Sequence, residues 1–149
     1  VLTFDSNVLV YANDSRADAA KRRQAQAILR HCGLAGNAAL TMQALGEFVQ
    51  AARRKSLLPV PDIVARIENW RSVFPVLEPA VGDIDAALQL VSRYDLQPWD
   101  AMMLATASRH GVRWLVTEDM QDGFVARGVT LIDPFRPANA DKLQEIGLA

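Results

Sequence analysis

"VLTFDSNVLVYANDS", residues 1–15, is the stretch that decides the fold. It starts as an apolar, strand-like run, breaks at Asp5 and Asn7, and resumes with Val8, Leu9, Val10 and Tyr11. Burying a carboxylate and an amide without partners costs a few kcal/mol. Something elsewhere in the chain must hold them. The run itself predicts a strand at about residues 2–5, closed by Asp5.

Working outward, a helix is expected over 15–32, opened at Asp14/Ser15 and ended by Gly33. Ala38–Thr41 reads as a short buried strand. "MQALGEFVQAARRKSLL" (42–58) is an amphipathic helix whose basic end suits the helix dipole. A helix over 61–74 starts at Pro61 and carries Ile63, Ile67, Trp70 and Phe74 at helical spacing. A short strand follows near Pro75–Glu78. Two helices occupy 83–96 and 98–111, the second started by Pro98 and stopped by Gly111. "RWLVTED" (113–119) and "VTLIDP" (129–134) are strands, and "ANADKLQEIGLA" (138–149) closes as a helix. Strands separated by helices imply parallel crossovers, hence one domain over 1–149, a three-layer α/β/α sandwich with a central parallel sheet.

Composition narrows the function. The chain has 149 residues, 50% hydrophobic and 22% charged, with net charge −1. Bulk charge therefore does not announce nucleic-acid binding, and any such site must come from local placement. The single cysteine, Cys32, excludes an internal disulfide framework and fits a reducing, cytoplasmic compartment. With only His31 and His110 beside it, a Cys/His zinc site is not expected. No apolar run reaches ~18 residues, so no membrane span is expected, and the first residues lack a signal-peptide pattern. Gly-rich phosphate fingerprints are absent, which argues against dinucleotide and P-loop functions.

The acids gather where an open α/β sheet places its ligands, beyond the carboxyl ends of the strands. Asp5 ends the first strand, and Glu47 lies about two turns into the helix after the second. Asp119 follows the strand at 114–116, and Asp100 stands in the first turn of the helix begun by Pro98. Two carboxylates ~4 Å apart repel by roughly 4 kcal/mol at an effective dielectric near 20. Either some protonate or a cation neutralises them. Oxygen-only ligands suit Mg²⁺ or Mn²⁺, and such an ion could bind a phosphodiester and activate water. Asn7 could orient a carboxylate.

"FDSNVLVYA", "ALGEF", "WDAMMLATA" and "VTEDMQDG", in this order and spacing, resemble the PIN-domain ribonucleases, especially the VapC-type toxins of toxin–antitoxin modules. The resemblance runs from residue 3 to about 135. It implies a Mg²⁺- or Mn²⁺-dependent endoribonuclease leaving 5′-phosphate and 3′-hydroxyl ends. It also implies inhibition by a cognate antitoxin and, in many relatives, a homodimer. On this resemblance Asp5, Glu47, Asp100 and Asp119 match the four family acids. Asn7 and Thr117 match supporting positions, and Asp122 sits where several relatives carry a further acid.

Two basic clusters, Arg53, Arg54 and Lys55 and separately Lys21, Arg22 and Arg23, could position RNA phosphates. A solvated helix face is the simpler role for any one of them. Trp70, Trp99 and Trp114 read as core or interface residues rather than base-stacking platforms. Glu118 is expected to point away from Asp119. An inactive RNA- or protein-binding module of the same fold is the alternative. A haloacid-dehalogenase-like phosphatase is remote, because Asn7 stands where that chemistry needs a second Asp.

Overall fold

The order of elements follows from which segments can satisfy their own backbone. In the computed structural model, which describes residues 1–149, β1 (Leu2–Phe4) leads into α1 (Ser6–Asn13) and α2 (Ala19–Ala35). Then come β2 (Ala38–Thr41), α3 (Met42–Arg54), α4 (Val60–Val73), β3 (Val76–Leu77), α5 (Gly82–Tyr94) and α6 (Pro98–Arg109). The chain finishes through β4 (Trp114–Val116), β5 (Val125–Ala126), β6 (Val129–Ile132), a 3₁₀ turn at Pro137–Asn139 and α7 (Ala140–Glu145). The sheet order is β3-β2-β1-β4-β6-β5. All pairs are parallel except β5–β6. Helices cover the sheet, and one continuous apolar cluster runs from Leu2 and Phe4 through Phe48, Leu104 and Leu115 to Leu148. No helix is long and apolar enough to cross a membrane.

Three differences from the sequence expectation have physical causes. First, Val8–Val10 belong to helix α1, not to an extended run. Asp5 caps that helix, its carboxylate accepting from the Ser6 N–H at 2.7 Å. Val8, Leu9 and Val10 are all buried, so their apolar run carries no period by which helix and strand differ. Second, α2 begins later and ends later than expected. Asp18 caps it by accepting from the Ala20 and Lys21 N–H groups, and it stops at Gly36, whose φ is 64°. Gly33 lies inside the helix because a Cβ there would meet Val73 Cγ1 at 3.0 Å. Its role is close approach of α2 to the end of α4. Third, the sheet is mixed at one edge. Arg127 (φ 50°) and Gly128 (φ 78°) make a two-residue reversal that folds β5 antiparallel onto β6, the backbone signature of a tight hairpin.

This order positions the site. From β1 the chain builds outward through β2 and β3, then returns to place β4 on β1's other side. The β1/β4 boundary is therefore the topological switch, where the strand ends leave a crevice. Asp5 and Thr117 stand just beyond those two strands.

Candidate active site

Asp5 is the most buried of the four acids, 5% exposed. Its Oδ1 accepts from the Ser6 N–H, and its Oδ2 accepts from Thr117 Oγ1 at 2.8 Å and from Asn7 Nδ2 at 3.2 Å. Asn7 Nδ2 also donates to Thr117 Oγ1 at 3.2 Å, which accepts in addition from the Asp119 N–H at 3.2 Å. These partners answer how a carboxylate survives inside the first segment. They also fix its orientation from two places at once, the start of α1 and the residue just after β4.

Glu47 projects from α3 and is held by groups the sequence did not single out. Ser6 Oγ donates to its Oε2 at 2.9 Å, and Gln43 Nε2 to its Oε1 at 2.7 Å. Gln43 also donates to the Trp99 carbonyl at 2.8 Å, tying α3 to the start of α6. There Gln97 caps the helix, its Oε1 accepting from the Asp100 N–H at 3.0 Å. Two signals could have pointed to these residues: Gln43 stands one helical turn before Glu47, and Gln97 directly precedes the Pro98 that opens α6.

The charges interact. Burial pushes the Asp5 carboxyl up to about 6, against the opposing hydrogen bonds from Thr117 and Ser6, and the charges of Glu47 and Asp100 add to the rise. Burial likewise raises Asp100, with further upward pushes from Glu47 and Asp119. The four acids are thus linked electrostatically in one region. No three Asp, Glu, His or Cys side chains stand at metal-ligand spacing. Glu47 and Asp5 are instead occupied by Ser6, Gln43, Thr117 and Asn7.

The donor chemistry nevertheless fits a hard divalent cation. All the side-chain donors are oxygens, the acids repel one another, and the buried Asn7 Oδ1 has no hydrogen-bond partner. A cation relieves the first problem and offers coordinated water to the second. Of the four acids, Glu47 and Asp100 line a cleft of about 620 Å³ that Ser6, Gln43, Arg54 and Trp99 also border.

Asp122 accepts from the Asp133 N–H at 2.8 Å and from Asn139 Nδ2 at 2.9 Å. It pins the segment after β6. Of the basic triplet, Arg54 lines the cleft and Arg53 borders a shallower flank. Lys55 caps α3, its carbonyl accepting from Arg16. Lys21 is committed to Glu118 at 2.6 Å and lies over the Tyr11 and Phe135 rings. Glu118 therefore turns from the acids, as expected.

A family model, the PIN domain, matches residues 2–124. No curated protein sequence matches the chain. Among solved structures it is similar to a toxin–antitoxin complex from Klebsiella pneumoniae, at 21% identity, TM-score 0.62, covering 91% of this chain and 98% of that one. It is similar as well to VapC20 of Mycobacterium tuberculosis, a sarcin–ricin loop cleaving toxin, at 16% identity, TM-score 0.61, covering 77% and 87%. A third is VapBC2 from Rickettsia felis bound to a fragment of its promoter DNA, at 12% identity, TM-score 0.61, covering 87% and 96%. Likeness at such identities concerns the fold. With the family model spanning most of its length, the chain belongs to the PIN-domain family.

Proposed function

We propose that this protein is a Mg²⁺- or Mn²⁺-dependent endoribonuclease and the toxin of a toxin–antitoxin pair. The observation that carries the reading is Asp5: a buried carboxylate, raised to about 6 and facing the charges of Glu47 and Asp100, at the sheet's switch point. An arrangement that costs stability while gathering negative charge makes sense if a cation completes it. Asp5, Glu47, Asp100 and Asp119 would hold that cation. When bound, it would polarise a phosphodiester and lower the pKa of the attacking water.

The chain's own groups do the rest. Thr117 and Asn7 fix Asp5 in one rotamer, and Ser6 and Gln43 do the same for Glu47. Arg54, at the far end of the cleft, suits a neighbouring phosphate. The toxin role draws on the similarity to the Klebsiella and Mycobacterium proteins. An antitoxin that presents arginine to the acids would satisfy the same charge excess. A homodimer belongs to the same proposal, and α5 leaves Ile84 and Leu88 exposed one turn apart on its surface.

A second reading, a binding module without turnover, is favoured by one observation, that no three acids stand at ligand spacing. Incubating the protein with a loop-containing RNA in Mn²⁺ separates the two. Cleavage to 5′-phosphate and 3′-hydroxyl ends is expected, with Asp100→Asn slowing it by on the order of 10²-fold or more. Cleavage that survives both chelation and this substitution would sink the metal-nuclease reading. RNA binding without any cleavage would support the module.

A further inference from the structure

Trp99 has no role in the acid site, yet its setting is unusual. Of the three tryptophans, Trp70 is buried at 5% against Phe48, and Trp114 is partly buried beneath Lys142. Trp99 is 63% exposed, at the mouth of the cleft and directly before Asp100. Its backbone is not loose: its carbonyl accepts from Gln43, the residue that also holds Glu47. An indole anchored beside the acids and left in water contributes little to the fold, because its large apolar face finds no partner there.

The opposite wall of the cleft is one stripe of α3. Gln43, Glu47, Gln50 and Arg54 recur at helical spacing, and all line it. From Glu47 to Arg54 the stripe runs about 10 Å along the helix. One cleft therefore brings together carboxylates, a guanidinium, uncharged amides and an exposed indole.

We infer that this cleft is a subsite for one unpaired nucleotide of the RNA strand, with Trp99 stacking on its base and Arg54 taking a phosphate next to it. The inference rests on the nuclease reading for its substrate. An indole face receives any base, and Gln50 and Gln97 can each donate and accept at a base edge. A cationic peptide would also meet the acids and the indole, but Arg54 opposes it by like charge. In a duplex, stacking on neighbouring base pairs would hide the face that Trp99 needs, and pairing would occupy the edge that the amides read, so the subsite selects single-stranded or looped segments.

The test compares wild type, Trp99→Ala and Trp99→Phe with oligoadenylate and an abasic ribose-phosphate oligomer of equal length. For RNA cleavage in Mn²⁺, Trp99→Ala is expected to raise KM about 10-fold with kcat changed less than about 2-fold. Trp99→Phe should recover most of the loss. Oligoadenylate should quench the indole emission of wild type and not of Trp99→Phe. The abasic oligomer should bind wild type and Trp99→Ala alike. If wild type cleaves RNA and Trp99→Ala keeps its KM, the subsite falls while the nuclease reading stands. If nothing is cleaved but oligoadenylate still quenches Trp99 and prefers it to alanine, the nuclease reading falls and the subsite stands. Equal weakening of both oligomers by Trp99→Ala, or quenching by an arginine-rich peptide and not by oligoadenylate, overturns the inference.

Discussion

Asp5→Asn is expected to reduce RNA cleavage by on the order of 10³-fold, about 4 kcal/mol of transition-state stabilisation, while making the metal-free protein more stable at pH 7.5. The two effects share one cause. The folded protein holds Asp5 at about 6, above its ordinary value of 3.8, chiefly through burial. The native state therefore binds this proton more tightly than the unfolded chain does. The favourable contribution is complete below pH 3.8 and is lost as pH rises through about 6, at roughly 1.4 kcal/mol per pH unit inside that window. Asparagine removes the penalty, but its NH₂ then faces the Asn7 amide that donates to Asp5 Oδ2. A net gain of about 1–2 kcal/mol at pH 7.5 follows, with none at pH 4. Urea unfolding in chelator at the two pH values measures it. A variant less stable than wild type at pH 7.5 would mean that Asp5 is an ordinary structural acid.

Asp83→Ala should do the reverse, lowering stability by about 2–3 kcal/mol and leaving the chemistry of the folded protein intact. Asp83 is only 3% exposed at its side chain. It accepts from the Ala80 N–H at 2.8 Å, from Thr106 Oγ1 at 3.0 Å, and from Arg109 Nε at 2.8 Å and Nη2 at 3.2 Å. The Arg109 hydrogen bonds, more than anything else, bring its carboxyl down to about 2. This contribution is present above pH 3.8 and is lost as pH falls toward 2, opposite in sign to that of Asp5. The cluster joins the start of α5 to the end of α6, and the other end of α6 carries Asp100. A urea midpoint that moves while kcat at low temperature stays near wild type separates this support role from a role in the chemistry. An unchanged midpoint would show that the cluster stabilises nothing.

How much of this was legible in the sequence depends on where each partner lies. Ala38–Thr41 and the helix opened by Pro98 were readable because their signals are local: an apolar run between turn residues, and a proline at a helix start. Helix α1 was hidden because Val8–Val10 are buried on every side, which erases the period. Gly33 has the look of a helix stop, and only the packing of Val73 against it explains its place inside α2. β5 is two residues long, and only its pairing with β6 defines it. Asp5, Asp100 and Asp119 each stand at or next to an element's end, where topology sets the sheet edge they occupy, whereas Glu47 lies mid-helix in α3 and its place follows only from the direction of that helix. Ser6 and Gln43 were not legible, since hydroxyls and amides on helices carry no sign of what they bond. Nor does anything beside Asp122 in the sequence announce its bonds to the Asp133 N–H and the Asn139 amide.

The most direct measurement is calorimetric titration of the metal-stripped protein with Mn²⁺, run in parallel on Asp5→Asn. Saturable binding to wild type, lost in the variant and accompanied by release of the proton that Asp5 holds near pH 6, is the expected result. Equal binding by the two proteins, or none by wild type up to millimolar Mn²⁺ with a non-cleavable RNA present, would mean that Asp5, Glu47, Asp100 and Asp119 do not form one cation site.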